Sequence, residues 1–272
     1  MVEPNPVFGQ PQKVKIRGYS GNSMEPFLSR DGSTLFFNNL NSAPENTNLH
    51  WAVRINDSTF QYNGELSGIN TAALEAVASM DRNNKLYFVS GQNYTSTLST
   101  IYNSDFLNGT ISNISLIDGI SKNQGGWINF DVEVDAAGTT LYLVDGRFGQ
   151  SGGPYESDFF VATKNVNGFQ RLSNSADLLK NINTTALEYA AGISADNLDF
   201  YFTRVAAPLT SSSTPEIFHA SRRSSQDASG VSAKIETITG FVEAPTLSPD
   251  GRIIYYHKKE NGTFVIYMVR KG

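Results

Sequence analysis

The 272-residue chain contains no cysteine, which excludes disulfides and Cys-ligated metals. It leaves the redox compartment open, because exported bacterial proteins often lack cysteine too. An excess of positive charge is also missing: 21 Lys and Arg stand against 26 Asp and Glu, for a net charge of −5. A surface without basic excess offers little to a phosphate backbone, and the one tight basic pair, Arg222 and Arg223, lies in a polar Ser-rich stretch, so nucleic acid is not an expected partner. Nowhere do 18 apolar residues run together, so no transmembrane helix is expected. The opening MVEPNPVFGQPQ has neither a cationic start followed by an apolar stretch nor a lipid-anchor cysteine. An export signal, where the natural product carries one, is expected to have been removed, with the initial Met an addition. The three histidines, His50, His219 and His257, are far apart without helical metal-ligand spacing, and are expected to be satisfied strand residues rather than zinc ligands.

What is present suits short strands joined by polar turns. Hydrophobic residues make up 39% and charged residues 17%, with 12 Tyr and 17 Phe supplying most of the aromatic content. Such a composition argues against disorder, and the length suits one domain over residues 1–272.

A repeat organises the chain. SRDGSTLFF from Ser29, SMDRNNKLYF from Ser79, DAAGTTLYL from Asp135, SADNLDFYF from Ser194 and SPDGRIIYY from Ser248 share one plan: a small polar residue, a turn, then an apolar-aromatic strand. The starts lie 50, 56, 59 and 54 residues apart. Asp-Gly and Asn in these turns tolerate the tight backbone of a hairpin. Further strand-like stretches follow each unit, including LHWAVRI and TFQYNGEL, LSTIYN and ISNISLI, SDFFVAT and FQRLS, and EIFHAS and KIETIT. The expected architecture is all-β: a single five-bladed β-propeller of four-stranded antiparallel blades starting near residues 22, 72, 128, 185 and 241. Residues 1–20 form a lead. The last repeat lacks a fourth strand, so KVKIRG from Lys13 is expected to pair with FVIYMV and close the ring, removing an exposed edge.

The SPDG-type turn followed by LYF resembles the TolB-type, WD-like propeller repeat of bacterial envelope proteins, over nearly the whole chain. Asp135 to Gly138 and Ser194 to Asn197 depart from the SPDG pattern. The resemblance implies a fold that serves docking platforms, lids and enzyme scaffolds alike, so function must come from the site.

Just upstream of each turn an apolar residue precedes an acid, placing Glu25, Glu75, Asp131, Glu188 and Glu243 at the start of every innermost strand. INTAALEAVAS and INTTALEYAAGIS are near copies, which makes Glu75 and Glu188 structural equivalents. The expectation is a ring of five carboxylates at one mouth of the central channel, with a bulge or longer strand entry in blade four keeping Glu188 level with Glu75. Such a ring needs compensation, since unit charges 4 Å apart repel by about 4 kcal/mol at an effective dielectric of roughly 20. Three readings stand: acids bonded to backbone or to basic residues between blades, a site for calcium or another divalent cation, or catalytic carboxylates. Arg147, Arg204 and Lys258, at the ends of second strands, are the expected counter-ions or ligand contacts.

Trp127, in the loop GGWINF, is the better of the two tryptophans for stacking on a sugar, against an ordinary packing role; Trp51 reads as packing. GQSGG formally matches G-x-S-x-G, but Ser151 lies in a Gly-rich loop between two strands and before Pro154, where a nucleophile elbow does not form. The expected function is a non-enzymatic binding or scaffolding propeller, periplasmic or on the cell surface, monomeric, taking a protein, peptide or glycan partner at the channel mouth. The alternative is a glycoside-active enzyme using the channel carboxylates.

Overall fold

The computed structural model describes residues 6–41, 46–150 and 152–272. Five sheets form the expected propeller, each built on four antiparallel strands, with a fifth, parallel strand added to blade one. The innermost strands are Met24–Leu28, Glu75–Met80, Trp127–Val134, Leu187–Ile193 and Val242–Leu247. Each packs against the innermost strand of the next blade, and the fifth against the first, which closes the circle.

The sequence explains the blades locally. Their second strands carry apolar residues on both sides, as in Leu35-Phe36-Phe37 and Ile254-Tyr255-Tyr256, and all six side chains are fully buried. A strand covered on both faces must sit between neighbouring blades. Five apolar clusters fill the five seams: Phe36, Leu86 and Phe106 meet between blades one and two, whereas Leu28, Phe60 and Tyr255 meet between blades five and one. Trp51 belongs to the first of these clusters, edge-on to Phe106 at 5.7 Å.

The turns after the innermost strands solve one problem in two ways. In blades one, four and five a Ser hydroxyl bonds the Asp two residues on, at 2.5 to 2.6 Å, and the Ser oxygen accepts an amide four or five residues later. In blades two and three a single Asp does the work: Asp81 accepts the amides of Asn83 and Lys85, and Asp135 those of Thr139 and Thr140. The second unit therefore begins at Asp81 rather than Ser79, and the spacings become 52, 54, 59 and 54 residues.

Ring closure differs in detail from the expectation. Only Gln12–Lys13 pair with the Thr263–Arg270 strand of blade five, extended by Phe8 opposite Lys271 and by the Val14 amide on the Ile266 carbonyl. Lys15–Arg17 then cross to blade one and add a fifth, parallel strand beside Thr59–Gln61. Alternation makes the crossing favourable. Val14 and Ile16 both enter the core between blades five and one while the backbone changes partner. No helix among the described residues is long and apolar enough to cross a membrane.

Candidate functional site

Every innermost strand is interrupted by a bulge at the level of the channel. In four blades the bulge holds a non-glycine residue in the left-handed region: Glu25 at φ 50°, Val77 at 53°, Ala190 at 55° and Ala244 at 56°. Such residues are strained and persist only where the surroundings hold them. Here the restraint is a hydrogen bond to the preceding blade. The Glu25 amide donates to His257 Nδ1, Val77 to Asn38 Oδ1, Ala190 to Asp131 Oδ2 and Ala244 to Thr203 Oγ1, at 2.8 to 3.3 Å. Asn38, Thr203 and His257 occupy the same place on their second strands, where blades two and three have Val89 and Val144. Blade three supplies its acceptor from Asp131 instead. Among the described residues blade two supplies none, and blade three has no left-handed non-glycine residue in its bulge that would call for one.

The five acids do not form one ring. Counted back from their turns, Glu25 and Asp131 lie four residues away, Glu243 five, and Glu75 and Glu188 six. With Asp81 as the turn start, Glu75 and Glu188 are level without any extra bulge in blade four, which corrects the expected difference between them. Both are fully buried and clamp the incoming loop. Glu75 accepts the amide and hydroxyl of Thr71 at 2.7 and 2.9 Å and the Ser90 hydroxyl at 2.7 Å. Glu188 accepts the same two groups of Thr184, at 3.1 and 2.6 Å, and Arg204 Nε at 2.7 Å. Neither lines the channel.

Glu25 and Asp131 do line it, together with Glu133 and the small residues of the other bulges. The space left between them is ≈ 20 Å³. That is room for about one water. Burial pushes the Glu25 carboxyl above its usual range and the Asp131 carboxyl well above, and each negative charge adjacent to them adds to the effect: Glu243 beside Glu25, and Glu25 and Glu133 beside Asp131. Asn41 donates to Glu25 Oε1 at 3.0 Å, whereas Oε2 is buried with no partner among the described residues. Glu243 is better served. It accepts the Tyr189 hydroxyl and His257 Nε2, the latter at 2.9 Å. Because His257 Nδ1 accepts the Glu25 amide, the ring is the neutral Nε2–H tautomer. Deeper in, Glu133 is held by Arg30 at 2.8 Å and Ser79 at 2.7 Å, a buried ion pair that plugs the far end.

Of the expected counter-ions only Arg204 meets one of the five acids. Arg147 pairs with Glu156 across its own hairpin at 2.7 Å, both half exposed, and Lys258 Nζ lies 5.4 Å over the Tyr267 ring. Trp127 has one face occupied by Lys122 Nζ, 3.2 Å from the ring centroid, so that face is closed to a sugar. The three histidines sit in strands, His50 against Tyr62, His219 against Asp199 and His257 as above. Ser151 lies outside the described residues. Among those described, no group of three or more His, Asp or Glu is placed to hold a metal ion. Sequence reasoning missed Tyr189 and Glu133 as members of the channel; it placed His257 beside the second-strand ends on the same face but read it as a satisfied strand residue, although a polar residue inside the otherwise apolar IIYYHK strand was a signal for more.

Comparison with solved structures gives the same architecture. The chain superposes on a putative TolB from Agrobacterium tumefaciens with a TM-score of 0.54 at 10% identity, covering 96% of this chain and 78% of that one. An endo-arabinase from Bacteroides thetaiotaomicron gives 0.59 at 13%, covering 96% and 98%, and the catalytic domain of the Coprinopsis cinerea GH62 α-L-arabinofuranosidase gives 0.58 at 11%, covering 99% and 98%. At these identities the likeness is one of fold. No family model matches the sequence, and no curated protein matches it. The chain is thus a β-propeller of five blades, and its structural neighbours include a TolB protein and glycoside hydrolases alike.

Proposed function

We propose that this propeller is a non-enzymatic binding or scaffolding protein of the bacterial cell envelope or surface, extracytoplasmic and monomeric, which offers the mouth where its inner strands begin to a protein, peptide or glycan partner. The observation that carries this reading is the commitment of the channel side chains. Asn38, Asp131, Thr203 and His257 each hold the bulge of the next blade, and Arg30 with Glu133 plugs the far end. A free volume of ≈ 20 Å³ falls far below the roughly 300 Å³ at which small-molecule pockets begin. Contacts with a partner then fall to the rim, where blade three carries its long strands Thr140–Gly149 and Gly152–Asn165 with Phe148, Tyr155, Arg147 and Glu156.

One observation favours a glycoside-active enzyme instead. Carboxyls pushed upward by burial and by neighbouring acids mark many acid–base sites, and Glu25 and Asp131 are two such groups. The two readings separate on turnover. Incubated with arabino-, galacto- and rhamno-oligosaccharides, the protein is expected to release no more reducing ends than its Glu25→Gln and Asp131→Asn variants. Release by the wild type that either substitution abolishes would replace the binding reading with the enzymatic one.

A further inference from the structure

The opposite mouth of the channel has a different character. There the inner strands end, and a recess of ≈ 220 Å³ opens between the turns. Its floor is apolar: Leu28, Ile193 and Leu247 are register equivalents at the ends of three inner strands, and all are buried. Its width comes from the residue after each turn start. Blades three, four and five have Ala136, Ala195 and Pro249 there, whereas blades one and two have Arg30 and Arg82.

The two arginines are in different states. Arg30 is consumed by the fold: it bonds Glu133 and the Met80 and Val134 carbonyls, and is mostly buried. Arg82 is exposed, and only its Nε is engaged, on the Ala136 carbonyl at 3.0 Å. Among the described residues no carboxylate reaches ion-pair distance of Arg82, and no acidic side chain lines the recess. The turn aspartates are occupied within their own turns, Asp31, Asp196 and Asp250 by Ser hydroxyls and amides, Asp81 and Asp135 by amides. An uncompensated guanidinium over an apolar floor selects a ligand with one anionic end and one greasy end.

We infer that this mouth is a second ligand site, separate from the proposed partner face, which takes a monocarboxylate with a short branched or aromatic body. The carboxylate meets the free fork of Arg82 in the bidentate geometry that guanidinium favours, and the body covers Leu28, Ile193 and Leu247. A recess of this size is too small for a longer chain, so the ligand is a small free acid or the C-terminal residue of a peptide.

The test uses titration calorimetry on the full chain with isocaproate, its neutral isostere isocaproamide, inorganic phosphate and N-acetyl-leucine. Saturable binding of isocaproate is expected, with isocaproamide and phosphate weaker by at least roughly tenfold, because each lacks one of the two contacts. Arg82→Gln is expected to remove the preference for acid over amide, and Ala195→Leu to block both by filling the recess; melting curves report that both exposed positions leave the fold intact. N-acetyl-leucine binding at least as well as isocaproate identifies a peptide C-terminus as the source, and weaker binding identifies a free acid. Equal affinity for acid and amide in the wild type, or isocaproate binding unchanged in Arg82→Gln, overturns the assignment, as does the absence of saturable isocaproate binding up to about 10 mM.

Discussion

Glu188 and Asp131 are carboxylates on the inner strands of adjacent blades, both buried, yet they do opposite things. Glu188 accepts three bonds, one from a guanidinium, and fixes its own loop. Asp131 accepts one amide from the next blade and faces Glu25 and Glu133 across a nearly filled channel. Two residues of offset from the turn separate these fates: one acid finds donors and a cation, the other finds more acids. Burial alone therefore says little about what a carboxylate contributes; its partners decide the sign.

The largest expected effect breaks the frame that both acids share. Deleting residues 1–18 removes the closing strand, the buried side chains Phe8 and Val14 and the parallel strand Lys15–Arg17. Two fully buried apolar side chains are worth about 3–6 kcal/mol, a large part of a typical domain's total stability. Loss of a cooperative melting transition is expected; an unchanged transition would show that the ring closes without the lead. Next comes Glu188→Ala, which strands Arg204, of which 17% of the side chain is exposed. A cost of about 3–5 kcal/mol is expected by denaturant unfolding, with Glu188→Ala plus Arg204→Met recovering much of it. Among the described residues Glu75 meets no cation, so Glu75→Gln is expected to cost less, about 1–3 kcal/mol.

Asp131→Asn reverses the sign. The folded state holds the Asp131 and Glu25 carboxyls above their unfolded values, so their contribution is full below the unfolded range and is lost as pH rises through the raised values. The asparagine keeps an oxygen for the Ala190 amide without the charge. It is expected to melt higher than wild type at pH 8 and to lose that advantage near pH 4; a variant less stable than wild type at pH 8 would mean that the charge itself holds the blades together. The smallest effect is that of a chelator, which is expected to leave the melting temperature unchanged.

Much of this was legible in sequence because it repeats. Five turns, the meander after each, and the equivalence of Glu75 with Glu188 all follow from residues that do the same local job in every copy. The closing lead was half legible: KVKIRG alternates like a strand, but nothing in it signals that the chain changes blades after Val14. The acidic ring was misread for a specific reason. SMDRNN offers two small polar starts, Ser79 and Asp81, and taking the serine shifted Glu75 by two residues into a layer it does not share. The bulges were hidden for another reason. Val77 is β-branched, the kind of residue least suited to the left-handed region, and it sits there because Asn38 of the preceding blade accepts its amide. A restraint that lies 39 residues away leaves no mark on its neighbours.

The contrast between clamp and channel rests on the claim that Glu25 and Asp131 resist ionisation because they are buried together. Carbon-detected NMR titration of the side-chain carboxyls reads this directly. The account predicts that the two titrate as a coupled pair above the ordinary carboxylate range, and that Glu25→Gln moves the Asp131 transition back toward that range. Ordinary, independent titration of both groups, or an Asp131 transition indifferent to Glu25→Gln, would contradict it.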